Sequence, residues 1–134
     1  MVLDTIVRFR SPQFPSHNSN VEGPNFENGV YGKRLAEYFC GRLPSYGFQV
    51  ADCFAEDWGW MVELKHDRKF PFFVGCGHAE GQDDNYLCFI EPSKPVIRRW
   101  FKKMDVRDDI LALKNALAKI LENDPQIHSI EWSE

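Results

Sequence analysis

The chain has no Cys-x-x-Cys pair, no Gly-rich phosphate loop, no Gly-x-Ser-x-Gly elbow and no His-Glu-x-x-His run. These absences exclude zinc ribbons and dithiol redox motifs, P-loop nucleotide hydrolases, α/β serine hydrolases and zincins, because each chemistry needs its ligands or nucleophile at that spacing. Bases are in short supply as well: 16 Lys and Arg stand against 20 Asp and Glu, giving a formal charge of −4 and an isoelectric point near 5.6. Phosphate contacts are made by positive surfaces, so nucleic acid is an unlikely partner on this balance. No apolar run is long enough to span a bilayer, and the start Met1-Val2-Leu3-Asp4 has no signal-peptide pattern. No membrane partner and a cytoplasmic location are therefore expected.

What is present fits one domain over residues 1–134. A chain of this size buries about two thirds of the surface it exposes when unfolded and needs no disulfide. Cys40, Cys53, Cys76 and Cys88 lie a dozen or more residues apart, mostly inside apolar runs, and read as buried thiols. Alternation predicts a first strand over Leu3 to Arg10, followed by a Pro-, Ser-, Asn- and Gly-rich loop over residues 11–28 that Phe14 and Phe26 pin down. A helix is expected from about Asn28, with Tyr31, Leu35, Phe39 and Leu43 as its apolar stripe. Four strands follow, near Phe48 to Ala55, Trp58 to His66, Phe70 to Cys76 and Tyr86 to Glu91, with a hairpin turn at His66 to Lys69. Val96 to Met104 reads as the lead-in to a second helix capped by Asp105, whose stripe is Val106, Ile110, Leu113, Leu117, Ile120 and Leu121. Ile127 to Trp132 closes the chain as an edge strand. The order β-α-β-β-β-β-α-β predicts an α+β domain in two layers, an antiparallel sheet of about five to six strands under two helices. Helix-grip, TATA-binding-protein-like and ferredoxin-like arrangements all satisfy that order.

The most distinctive motif is Glu56-Asp57-Trp58-Gly59-Trp60. Alternate residues of a strand share a face, which places Trp58, Trp60, Val62 and Leu64 together and Met61, Glu63 and Lys65 opposite. If the loop before Tyr86 emerges at the same end of the sheet, Glu56, Asp57, Glu80, Asp83 and Asp84 form an acidic rim beside the tryptophans. Such a rim holds a basic protein surface by charge complementarity; the spacing of a calcium loop is absent, and no metal or cofactor is expected. Cys76-Gly77-His78 offers a thiol beside an imidazole, but without an orienting third group it does not define a nucleophile. The segment 94–103, with Lys94, Arg98, Arg99, Lys102 and Lys103 around Trp100 and Phe101, is a short patch of the kind that contacts phosphates; the simpler expectation is solvated bases with Trp100 or Phe101 packed inward.

Glu56-Asp57-Trp58-Gly59-Trp60, Gly75-Cys76-Gly77, Leu87-Cys88-Phe89-Ile90-Glu91-Pro92 and Arg98-Arg99-Trp100-Phe101 together resemble a family of small, uncharacterised single-domain bacterial proteins. The likeness runs from Tyr31 onward and brings no catalytic residue with it. In size, acidity and α+β make-up the chain is also similar to immunity proteins that neutralise secreted bacterial toxins. These readings converge on a non-enzymatic, protein-binding inhibitor acting by occlusion, with Glu56, Asp57, Trp58, Trp60, Glu80, Asp83 and Asp84 facing a basic toxin. The alternatives are a small-molecule binder or small enzyme with a pocket near Trp58, Trp60, Cys76 and His78, and a nucleic-acid contact through 94–103.

Overall fold

The structure, a computed structural model, describes residues 3–14, 32–68, 70–78 and 84–134. Strand β1 (Ile6–Arg10) comes first, then helix α1 (Lys33–Arg42) running into a 3-10 turn (Leu43–Tyr46). Strands β2 (Val50–Glu56), β3 (Gly59–Leu64), β4 (Phe73–His78) and β5 (Asn85–Glu91) follow in succession. A short hairpin, β6 (Val96–Arg99) and β7 (Lys102–Asp105), precedes helix α2 (Arg107–Glu122) and strand β8 (His128–Ser133). Apart from the hairpin, this is the order the sequence predicts, and the class is α+β.

Six strands make one antiparallel sheet in the order β2-β3-β4-β5-β1-β8, while β6 and β7 pair only with each other. The three connections between β2, β3, β4 and β5 are short enough to force a meander, and β1 then slots between β5 and the terminal edge strand β8. Cross-strand register puts Val7, Val62, Val74, Cys76, Cys88 and Ile90 on one face, and all are fully buried there. Both helices cover that face. Helix α1 sets Leu35, Ala36 and Phe39 against β2, β3 and β4, and α2 sets Ile110, Leu113, Leu117 and Leu121 toward β5. Each such side chain contributes about 1.5–3 kcal/mol when fully buried, so this interface is the core.

Three expectations need correction. The lead-in to α2 is a hairpin: Val96 pairs with Asp105, Ile97 with Met104, Arg98 with Lys103 and Arg99 with Lys102. Trp100 and Phe101 occupy its two-residue turn, where nothing lies above them, and they are 89% and 96% exposed instead of packed inward. Helix α2 accordingly starts after Asp105, whose carboxylate accepts the Arg107 backbone N–H at 3.0 Å. The turn expected at His66 to Lys69 lies within a longer connection between Leu64 and Phe73. Of the long loop, Phe14 is buried between Tyr38 and Tyr86, at centroid separations of 4.9 and 5.5 Å, and its carbonyl accepts the Tyr86 hydroxyl. Phe26, Asn28 and Tyr31 lie outside the described residues.

Helix α1 enters through Gly32, which has φ 112° and lies so close to β4 that a Cβ would sit 2.5 Å from the Cys76 carbonyl oxygen. Backbone cannot yield as a flexible side chain does. Gly32→Ala is thus expected to lower the unfolding free energy by about 2–4 kcal/mol in urea titration. Gly41 of α1 has open space around it, and Gly41→Ala is expected to raise stability by about 0.5–1 kcal/mol in the same assay.

Candidate functional site

Trp58 does not share a face with Trp60. The β2–β3 hairpin closes at Glu56 and Gly59, so Asp57 and Trp58 form the turn itself and escape the alternation that governs the strand. Trp60, Val62 and Leu64 do face the helices; Trp58 bends over the opposite side of the sheet. There its ring lies 5.0 Å from Phe89 and stacks on Phe73 at 6.4 Å, while Phe73 and Phe89 meet edge-on at 6.1 Å. Gly75 makes this cluster possible, because a Cβ on it would stand 2.3 Å from the Phe89 ring. With no side chain on β4 at that point, Phe89 lies across the strand and reaches the indole.

The same register continues across the sheet. Phe54 pairs with Met61, Met61 with Gly75, Gly75 with Phe89 and Phe89 with Ile6, so one apolar row crosses the face away from the helices. Its side chains are half-buried, and Trp58 beside it is 46% exposed. The neighbouring rows are charged, with Asp52, Glu63 and Glu91 on one flank and Arg8 and Glu131 on the other. An aromatic patch within a polar margin is the composition of a contact surface.

After Glu91 the chain turns through a cis Glu91-Pro92 peptide, and the β6–β7 hairpin comes back beside this cluster. Between them lies a cleft of about 460 Å³, lined by Trp58, Pro71, Phe73, Phe89, Glu91, Pro92, Ile97, Arg98 and Arg99. Partial burial pushes the Glu91 carboxyl up. The cleft thus offers aromatic faces, one carboxyl reluctant to ionise and two guanidinium groups; it presents no thiol, hydroxyl or imidazole. Such a lining binds apolar or planar groups and orients charge, but supplies no nucleophile.

The expected acidic rim is distributed as follows. Trp60 pairs with Cys76 and His78 with Tyr86, so the 57–58 turn and the β4–β5 loop leave the sheet at the same end. Asp57 is exposed and Glu56 half-buried at that end. Asp84 is there too, but its carboxylate takes two hydrogen bonds from Arg10, at 3.0 and 3.3 Å, which compensates its charge. Glu80 and Asp83 lie outside the described residues, as does the His78 side chain. Trp60 belongs to the helix-facing side, with the Lys33 ammonium 6.0 Å from its ring centroid. Among the described residues no group of three or more His, Cys, Asp and Glu is placed to hold a metal ion.

The cysteines are less scattered than the sequence implies. Cys76 stands directly opposite Cys88, and the Cys40 thiol of α1 meets Cys53 of β2, all four free. Burial, then the contact with Cys88, pushes the Cys76 thiol well up, and it is wholly enclosed beneath the helices, away from the Trp58 cleft.

A second cavity of about 480 Å³ opens where α1 and α2 end, lined by Tyr38, Arg42, Tyr46, Asn123 and Asp124 among others. Its polar groups answer one another. The Tyr38 hydroxyl and Gln13 amide donate to Asp124 Oδ2 at 2.6 and 2.9 Å, the Gln126 N–H donates to Oδ1 at 2.9 Å, and the Arg42 guanidinium lies 3.6 Å from the Tyr38 ring centroid. This network braces the exits of β1, α1 and α2. Burial, then the bond to Asp124, pushes the Tyr38 phenol up. Burial also acts to raise Asp124, but the bonds from Tyr38, Gln126 and Gln13 and the Arg42 charge outweigh it, holding the carboxyl below its ordinary value of 3.8.

Phe73, Phe89, Glu91 and Ile97 are site residues that the sequence reading passed over. Their signal is that β4 and β5 are apolar on both faces, whereas the two helices among the described residues cover only one. Comparison with known proteins adds no assignment: no protein-family model matches the chain, and no curated protein or solved structure is significantly similar to it.

A carboxyl held low in the folded state contributes stability that is complete above its unfolded value and is lost as pH falls through its folded value. Asp124→Asn is therefore expected to be less stable than the wild type near neutrality. The difference should vanish as pH falls below the ordinary 3.8, read as converging urea midpoints.

Proposed function

We propose that the protein is a binding protein that acts by occlusion, docking a protein partner on the sheet face that carries Trp58. The observation that carries this reading is the aromatic row itself: Trp58 stands 46% exposed beside the Phe54, Met61, Phe89 and Ile6 row, within a charged margin. Exposed tryptophan beside a half-buried apolar patch is the usual composition of a binding hot spot, and occlusion requires no reactive group. In this reading Asp57 and Glu56 steer a basic partner toward the indole, with Asp84, already engaged by Arg10, at the same end of the sheet. A cytoplasmic immunity protein that neutralises a bacterial toxin is the role these features suit best.

A second reading rests on a separate observation, the cleft of about 460 Å³ beside Trp58. Its aromatic walls and its Glu91, Arg98 and Arg99 groups suit a small planar ligand carrying charge. Trp60 and Cys76 lie across the sheet from it and would take no part.

Immobilised protein exposed to its native lysate is expected to retain one stoichiometric polypeptide. Trp58→Ala is expected to weaken that complex by about 30-fold, and Asp57→Lys to slow its association, with the urea midpoint unchanged. Retention that neither substitution alters would overturn the docking face. Thermal stabilisation by small metabolites, lost in Trp58→Ala without any retained polypeptide, would favour the ligand cleft.

A further inference from the structure

The β6–β7 hairpin ends in a convex tip unlike any other part of the described surface. Trp100 and Phe101 form the two-residue turn and are 89% and 96% exposed. Trp100 has φ 58°, in the left-handed region that bulky side chains rarely adopt. Behind the tip, Arg99 pairs with Lys102 and Arg98 with Lys103, so two successive cross-strand rows are wholly cationic. All four are exposed, and none is ion-paired among the described residues. Residues 94–105 hold five bases and one acid, a formal +4 in a chain of −4, which leaves −8 for everything else. The hairpin is therefore a net-positive segment on a chain that is otherwise net negative.

We propose that this hairpin is a peripheral docking element for an anionic lipid bilayer, with Trp100 and Phe101 entering the interface and Arg98, Arg99, Lys102 and Lys103 engaging the headgroups. The dimensions agree. A strand rises about 3.4 Å per residue, so the two cationic rows lie about 3 and 7 Å behind the aromatic turn, within the depth of about 5–10 Å that interfacial segments reach. Tryptophan belongs at that level because its ring is apolar and its N–H finds partners among headgroups. Lysine and arginine near an anionic leaflet each add attraction. Two other anionic partners fit less well. A nucleic-acid strand needs a groove with stacking platforms along its length, and the hairpin is a point. An acidic protein would have to supply a deep pocket for two neighbouring rings, whereas a bilayer receives them without a preformed shape. No helix among the described residues is long and apolar enough to cross a membrane; this contact is a surface one, and it departs from the expectation of no membrane partner, which rested on the lack of a spanning run and of a signal-peptide pattern.

The test is co-sedimentation with phosphatidylcholine vesicles containing phosphatidylserine as about a third of the lipid, against phosphatidylcholine alone. Binding is expected only to the anionic vesicles, falling as salt rises. Trp100→Gly removes the indole while suiting the left-handed turn; combined with Phe101→Ser it is expected to cut partitioning at least about tenfold with an unchanged urea midpoint. Arg99→Gln and Lys102→Gln, on exposed side chains outside the core, are each expected to cost about fivefold. The wild-type minus Trp100→Gly emission difference should shift to the blue on vesicle addition. Failure to sediment with anionic vesicles would overturn the proposal, as would binding that the tip variants leave intact. Tip-dependent capture by a polynucleotide or a polyglutamate resin, in place of the vesicles, would overturn it equally.

Discussion

The structure depends on coverage of its sheet from one side. Helices α1 and α2 bring Leu35, Phe39, Ile110, Leu113 and Leu117 down on Val62, Val74, Cys76 and Cys88, and both helices lie on that face. Burial of this interface supplies the main driving force for folding, because apolar area removed from water is the dominant favourable term. It also fixes what remains available. The register that buries Val74 and Cys88 turns Phe73 and Phe89 outward, and the same alternation aligns Phe54, Met61 and Ile6 with them. A core on one side and a half-open aromatic row on the other are two consequences of one register.

Glycine decides the detail on both faces. Gly32 lets α1 start against the β4 backbone, with φ 112° and no Cβ to meet the Cys76 carbonyl. Gly75, next to Cys76 on β4, does the converse on the outer side, where its missing side chain leaves room for the Phe89 ring. Strand β4 is thus approached closely from above and below at neighbouring residues. The aromatic cluster of Trp58, Phe73 and Phe89 and the seating of α1 both depend on that thin point in the sheet.

Charge is organised at a longer range. The 57–58 turn and the β4–β5 loop emerge together, giving an acidic end in which Arg10 has already engaged Asp84. The bases of 98–103 stand on a separate hairpin and make no ion pair among the described residues, although Arg98 and Arg99 share the cleft with Glu91. Opposite charges that do not neutralise each other within the molecule remain available to orient it against a partner or a surface. The net charge of −4 conceals this arrangement.

Several features follow from the sequence alone because their causes are local. The recurrence of Leu35, Phe39 and Leu43, and of Ile110, Leu113 and Leu117, is a property of the helix repeat, and the alternation in β1, β3 and β5 is a property of extended chain. Those periods yield the element order, the α+β class and most of the helix-facing core. Trp58 escapes them because a turn residue is bound by neither period, and only the closed β2–β3 hairpin sends its indole across the sheet from Trp60. Val96 to Met104 misleads for a related reason: its apolar and basic residues fit a helix lead-in until pairing turns it into a hairpin with Trp100 and Phe101 at the tip. Pairing between residues distant in sequence also brings Cys76 to Cys88 and Arg10 to Asp84. Outside Val96 to Met104, the sequence by itself determined which segments are helix and strand and which side of most of them seeks burial; tertiary structure alone decided which side chains meet on the uncovered face, because register between strands is a property of the assembled sheet and of no single segment.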